Sequence, residues 1–322
     1  MLKTSPQASR SPQGPSALRQ RLSRWDVKYA PYLFVAPFFI VFAVIGLYPL
    51  LYTGYLSFFS WPRFGGAVGD PVGWANYVHV ITDPVFHKAL VNTVGIFLLS
   101  SVPQVVVATI IAALLDTNLR GRSWWRMSVL LPYVVAPAAA ALIWSAIFAD
   151  RSGLANQLLG VVGIDPIGWH TDRFASWTAI ATMVNWRWTG YNTLIILAAM
   201  QAVSRDLYES ASLDGAGSAR QFWNITLPSI RPTMIFVIVT STMGGLQIFT
   251  EPRLFDTNLQ HQGGANYQFQ TLTMYVFNTA NSATDPYPRA AAAAWLLFLL
   301  IVGIALLNYV VTRAIQNRGA AR

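Results

Sequence analysis

Six long apolar stretches, separated by arginine-bearing or aromatic-rich connections, organise this 322-residue sequence. They fall near residues 32–58, 89–115, 127–149, 175–200, 232–250 and 289–313. A helix needs roughly 20 apolar residues to cross the hydrocarbon of a bilayer. The pattern therefore predicts an all-α, polytopic membrane protein with about six transmembrane helices. Two stretches depart from it: the fourth contains Arg187, and the fifth is short and holds Ser, Thr and paired glycines. Residues 1–28 are rich in Ser, Pro, Gln and Arg, a composition that buries too little to offset its ordering entropy, and they read as a disordered basic tail. The apolar run after them is too long for a signal-peptide core and lacks a small-x-small cleavage site. The expected layout is a tail at 1–28, a transmembrane domain at 29–313 with a polar loop at 201–231, and a second tail at 314–322.

Charge adds orientation. The chain is 54% hydrophobic and 11% charged, against about 25% charged in a soluble domain. Most of its 22 basic residues lie in four segments: Lys3, Arg10, Arg19, Arg21, Arg24 and Lys28; Arg120, Arg122 and Arg126; Arg205, Arg220 and Arg231; Arg313, Arg318 and Arg322. All four fall on one side of a six-span topology, so that side is cytoplasmic and holds both termini. The net charge of +9 is thus topological, and no nucleic-acid partner is needed to explain it. Trp61, Trp74, Trp169, Tyr267 and Tyr287 on the other side suit an interfacial aromatic belt.

Catalytic and nucleotide-binding chemistry finds little footing. There is no G-x-x-x-x-G-K-[ST], and the only lysines are Lys3, Lys28 and Lys88, so the chain has no P-loop of its own. GAGSAR at 215–220 lacks the last glycine of a dinucleotide loop and follows no strand. His79, His87, His170 and His261 show no metal-ligand spacing, and with no cysteine there is neither a disulfide nor a thiolate site. Glu251 and Asp256 as a glycosidase pair have no other support.

The stretch LYESASLDGAGSARQFWNITLP, 207–228, is the most polar long segment of the second half and carries Glu209, one of two glutamates. Ser204 is placed to N-cap a helix with Asp206 in its first turn. Gly215 supplies a left-handed stop. Ser218 and Gln221 have the spacing of a capping box for a second helix, and Pro228 ends it. Small residues from Ser210 to Gly217 leave one side smooth. On the residues alone this is either a docking surface or a solvated amphipathic loop; a helix-turn-helix DNA reader is disfavoured by membrane tethering at both ends.

The same segment resembles the EAA loop of permease subunits in binding-protein-dependent ABC importers, whose pattern is E-A-A, three residues, G, nine residues, I-x-L-P. Glu209-Ser210-Ala211, Gly215 and Ile225-Thr226-Leu227-Pro228 match its spacing, with Ser210 in place of an alanine. Asp214 falls beside the glycine. WANYVHVITDPVFHKALVNT (74–93), LLPYVVAPAAAALIWSAIF (130–148) and GLQIFTEPRLF (245–255) resemble the carbohydrate branch, the maltose-type and oligosaccharide permeases. NLQHQGGANYQFQ (258–270) replaces that branch's usual glycine-proline stretch.

The resemblance implies a passive half-channel rather than an enzyme, in a bacterial or archaeal cytoplasmic (inner) membrane. Its implied partners are a second permease subunit, two ATP-binding subunits that receive the EAA loops, and an extracytoplasmic solute-binding protein that delivers a sugar or oligosaccharide. ATP and Mg2+ belong to the partner subunits, and no cofactor is bound by this chain. Glycerol phosphate is an alternative cargo, but an anion calls for several cations and only Arg187 is at hand. An ion-coupled secondary transporter would call for intramembrane carboxylates.

Pathway candidates cluster in VNWRWTGYN, 184–192. A charge inside a span is by default functional. Arg187 either faces a wet cavity and donates to sugar hydroxyls, with Trp186 and Trp188 stacking on sugar rings, or it snorkels outward with both tryptophans in the belt; the residues leave both open. Trp186 also aligns with a tryptophan in the substrate-contacting part of maltose-type permeases. Asn185 and Asn192 are polar partners in either case. Gln247 is a second candidate, or polar glue between helices. Glu251 and Arg253 are expected at the outer end, touching the binding protein or pairing with each other.

Overall fold

The computed structural model describes residues 17–61, 69–117, 120–256, 262–282 and 286–320. Helices account for its regular structure. Among the described residues the only β pairing is an isolated antiparallel bridge between Phe59 and Pro71. The chain divides into two units, Met1–Tyr55 and Leu56–Arg322. His261 and residues 1–16 lie outside the described residues.

In the first unit, α1 (Ala17–Val41) passes through a π-helical turn (Phe42–Leu47) into α2 (Tyr48–Leu56). The stretch Tyr29–Leu56 is long and apolar enough to cross a membrane, and its large side chains, Phe34 and Ile45 among them, are exposed. Helix also covers residues 17–28, where composition suggested a disordered tail.

The second unit is built around α4 (Pro84–Asp116) and α8 (Arg173–Gln201), which pack along much of their length. Both start on an aspartate. Asp83 accepts from the Val85 amide at 2.8 Å and Asp172 from the Ala175 amide at 2.8 Å, satisfying amides that a helix start leaves open. Between α4 and the short α3 (Ala75–Thr82) the chain turns at Asp83–Pro84. The third apolar stretch is not one straight span. It is α5 (Arg122–Val134) and α6 (Pro137–Ile147), bent by 89°. Val135 and Ala136 are extended, as expected just ahead of Pro137, which disfavours helix in the residue before it. After α7 (Leu154–Val161) and α8 come α9 (Arg205–Leu213), α10 (Ser218–Gln221), a π-helical turn (Phe222–Thr226) and α11 (Leu227–Ser229). A bend of 72° then leads into α12 (Arg231–Leu246), with Pro232 in its first turn. The outer elements α13 (Thr250–Phe255) and α14 (Leu272–Ala280) precede α15 (Pro286–Ala320). Helix α15 continues through the expected C-terminal tail at 314–322 as far as Ala320.

Three helices, Tyr29–Leu56, Pro84–Asp116 and Tyr287–Val310, are apolar enough to span, and the two bent pairs bring the number to five. Helix α8, at 29 residues, has the length for a sixth. Its polar residues lower its hydropathy, and Ser176, Arg187, Asn192 and Thr193 are buried in protein rather than turned to lipid.

Three apolar clusters fill the bundle. One joins the cytoplasmic halves of α4, α8 and α12 through Ala108, Ala112, Ile196, Leu197 and Val237. A second lies around Ile96, Ile180, Met183, Phe255 and Phe269. The third packs α3, α14 and α15 on α4 through Val80, Phe86, Tyr275 and Ala292. The outer end is tied by hydrogen bonds centred on Asn92. Its amide donates to the carbonyls of Tyr267 (2.7 Å) and Gln270 (2.9 Å), and its oxygen accepts from Nε and Nη2 of Arg173 at 3.1 and 3.0 Å. Trp177 donates to the Gln268 carbonyl, and Asp256 accepts from the amides of Gly263 and Gly264. Tyr275 donates to Asp83 at 2.7 Å; burial, reinforced by that carboxylate, raises its hydroxyl pKa and keeps the donor protonated.

Gly190 lets the backbones of α5 and α8 touch, because a Cβ there would run into the Val129 carbonyl oxygen. A Cβ at Gly244 would meet nothing within 4 Å. Gly190→Val is therefore expected to destabilise the detergent-solubilised protein by about 1–3 kcal/mol, while Gly244→Ala leaves stability unchanged or higher. Thermal unfolding followed by size-exclusion chromatography measures both, and equal melting temperatures would refute the close approach.

Candidate transport pathway and coupling surface

Between α4, α8 and α12 lies a cavity of about 70 Å3. Helix α8 contributes Val184, Trp188, Tyr191 and Asn192, which recur at i, i+4, i+7 and i+8 and so share a face. Helix α4 contributes Ser101 and Gln104. Thr240, Ser241, Gly244 and Gly245 come from α12, and Ile248 follows its end. Asn192 ties the three helices together, its amide shared between Gln104 Oε1 at 3.1 Å and Ser241 Oγ at 2.9 Å. Ser101 donates to the Ser241 carbonyl at 3.1 Å. At Gly245 a Cβ would strike the Ser101 hydroxyl, so the glycine permits this approach of α12 to α4. One wall is aromatic: Tyr191 stacks on Tyr133 with centroids 4.8 Å apart, and Trp188 meets both rings edge-on at 5.9 and 5.3 Å. No lining residue is charged. Aromatic faces beside hydroxyls and amides suit a polar, uncharged solute.

Of the pathway candidates, the structure brings Trp188 and Asn192 to this cavity. Asn185 reaches the Leu99 carbonyl at 3.5 Å, and Trp186 is exposed and packs edge-on against Trp144. Gln247 is exposed just past the end of α12. Arg187 takes neither of its two expected placements. It is buried at 7% exposure, and its Nη1 meets Oε1 of Glu251, also 7% exposed, at 3.1 Å. An unpaired cation at this depth would be costly, and the carboxylate on α13 offsets part of that penalty. The guanidinium also lies 5.6 Å from the centre of the Trp188 ring. Glu251 consequently does not pair with Arg253, nor does it sit at the surface. Arg253 instead lies over Phe277 at 4.3 Å and contacts Asn278 at 3.4 Å. Tyr191, Gln104, Ser241 and Thr240 also line the cavity. Tyr191 was within reach from the sequence, since it stands three residues after Trp188 on the same helical face.

At the cytoplasmic end, α9 begins after Ser204, which is extended as an N-cap residue should be, although its hydroxyl makes no capping bond. The helix ends in a Schellman turn: Ala216 N donates to Ala211 O at 2.9 Å, Gly215 N to Ser212 O at 3.0 Å, and Gly215 has φ +78°. The capping box is not formed. Gly217 is the N-cap of α10, and the Gln221 amide reaches across to Ser212 Oγ (2.8 Å) and the Ala216 carbonyl (2.9 Å). Tyr208 and Thr226 join the two arms at 2.9 Å. Helix runs on past Pro228, which follows directly on the π-helical turn Phe222–Thr226, and the break comes at Ile230. Glu209, Ser210, Asp214, Gly215 and Pro228 are exposed, whereas Ala211, Ile225 and Leu227 are half-buried. Glu209 also lines an open groove with Asp116, Arg205, Tyr208 and Gln221.

Comparison with known proteins gives this geometry a family. Residues 90–318 match the family model described as binding-protein-dependent transport system inner membrane component. The lactose transport system permease protein LacF of Rhizobium radiobacter is 33% identical over 88% of this chain and 93% of its own length. The arabinooligosaccharides transport system permease protein AraP of Bacillus subtilis is 29% identical over 95% of this chain and 96% of its own. The sn-glycerol-3-phosphate permease protein UgpA of Salmonella typhimurium is 30% identical over 87% of this chain and 92% of its own. A bacterial ABC transporter structure, described as involved in the import of the acidic polysaccharide alginate, superposes with a TM-score of 0.75 at 20% identity, covering 92% of this chain and 99% of that one, which shows the fold. The chain belongs to the family of inner membrane components of binding-protein-dependent transport systems.

Proposed function

We propose that this chain forms half of the translocation pathway of an ATP-driven importer for a sugar or oligosaccharide. The observation that carries this reading is the uncharged cavity of aromatic, hydroxyl and amide groups between α4, α8 and α12. Relatives named for lactose and arabinooligosaccharides support the cargo class. A second permease subunit completes the pathway, and an extracytoplasmic binding protein delivers the solute. Two ATP-binding subunits supply the energy by binding ATP and Mg2+, one of them receiving the loop from Glu209 to Pro228.

Geometry supplies a mechanism for coupling. The Schellman turn, the Gln221 amide and the Tyr208–Thr226 contact hold α9 and α10 as one piece. That piece continues into α8 on one side, through residues 202–204, and into α12 on the other, through α11 and the bend at Ile230. Those are two of the three helices that line the cavity. A push on the loop from the ATP-binding subunit therefore moves α8 against α12, where the Asn192–Ser241 hydrogen bond joins them.

Affinity purification of the chain from its host membranes, with mass spectrometry, is expected to recover an ATP-binding subunit; its absence from an intact preparation would overturn the assignment. In proteoliposomes, Trp188→Ala should reduce uptake at subsaturating sugar by about 1–3 kcal/mol, or five- to more than a hundredfold, with complex assembly and basal ATP hydrolysis retained; unchanged uptake would place the solute elsewhere. Gly215→Val forces a β-branched residue into positive φ at about 1–3 kcal/mol of strain. Uptake and receptor-stimulated ATP hydrolysis should then fall together while the subunit still inserts, and Glu209→Lys should act the same way. Full uptake by both variants would leave the loop a solvated connection.

A further inference from the structure

The pathway helix α8 carries a cation beside the solute cavity, yet the cavity lining is uncharged. Arg187 directly precedes Trp188, whose ring lines the cavity, and its guanidinium stands 5.6 Å from that ring's centre. On its other side Nη1 meets Glu251 at 3.1 Å. Both members of the pair are buried, and Nε of Arg187 is buried without a hydrogen-bond partner. An arginine whose fork is only partly used is a poor device for stability alone, since well-packed apolar residues often serve as well as a buried ion pair. Position gives it a different use. A full positive charge behind one aromatic ring would set the potential of the cavity, and Glu251 cancels it.

We infer that Glu251, by neutralising Arg187, is the specificity-determining residue that makes this chain's side of the pathway select uncharged saccharides over anionic solutes. Glu251 is a positioning residue here, acting through Arg187 and Trp188 without touching solute. The inference rests on the cavity being the solute pathway and adds the charge class of its cargo. Removing the carboxylate leaves Arg187 as an uncompensated cation in a low-dielectric setting, where a unit charge acts strongly over several ångströms. The cavity then favours anions.

The chain has no cysteine, so a single reporter thiol is unambiguous within it, and modification is read on this chain after its separation from the partner subunits. Gly244 lines the cavity, and a Cβ added there meets nothing within 4 Å. In the assembled complex carrying Gly244→Cys, the rates of modification by an anionic and a cationic methanethiosulfonate of similar size are compared, each normalised to a free thiol. The normalised ratio should lie near one with the pair intact. Glu251→Gln should raise it in favour of the anionic reagent by about tenfold or more, Arg187→Gln should lower it, and the double variant should return it towards one. An anionic preference with the pair intact, or a ratio unmoved in Glu251→Gln complex that elutes as assembled, overturns the inference. Should one single variant fail to assemble, the other and the double variant decide by the same readout. Protection of the same cysteine by lactose tests the pathway reading separately, because the reagent ratio reports potential whether or not sugar binds.

Discussion

A polar group inside the hydrocarbon must find its partner within the protein, and the second unit is arranged around that requirement. Helix α8 has the length to cross but not the hydropathy, so it is held among α4, α5 and α12. Each of its buried polar residues then needs a named counterpart. Asn192 finds Gln104 and Ser241, Arg187 finds Glu251, and Thr193 donates back to the carbonyl of Thr189. Gly190 and Gly245 bring the neighbouring backbones close enough for these contacts to form. The cavity is the space left where the partners are shared and no further side chain fills in.

The cytoplasmic loop obeys a different constraint, that of water and a protein surface. Its stiffness comes from backbone geometry and one glutamine amide rather than from a core. That suits an exposed element through which the proposed coupling would pass. Leu213 is 90% exposed and Trp223 65%, so the loop presents apolar surface beside the Glu209 carboxylate, a combination suited to a protein partner.

Much of this was legible in the chain itself, and the exceptions share a cause. The spans other than α8 follow from hydropathy, and the Gly215 turn follows from a glycine at the end of a polar helix. The bend between α5 and α6 was also written locally, in the residue before Pro137, but a continuous apolar run masked it. Arg187 and Glu251 are 64 residues apart, and no local rule pairs them; only the packing of α13 against α6 and α8 does. Ser241 and Gln104 were equally opaque. A hydroxyl or amide in an apolar helix reads the same whether it glues helices or lines a cavity, until the neighbouring helix is known. The capping box failed because Gln221 had a better use across the turn than at its own helix start.

Asn92 has a consequence for how the bundle moves. One side chain binds the loop carbonyls of Tyr267 and Gln270 and the guanidinium of Arg173, so α4, the start of α8 and the outer loop are riveted together at one end. The breaks at residues 135–136 and at Ile230 lie away from that rivet, in α5–α6 and below α12. A rod fixed at its far end and pushed at its near end can only tilt. Under the push on the loop proposed above, α8 would therefore rotate about a fulcrum near Asn92, moving least at the outer end and most at the cytoplasmic mouth.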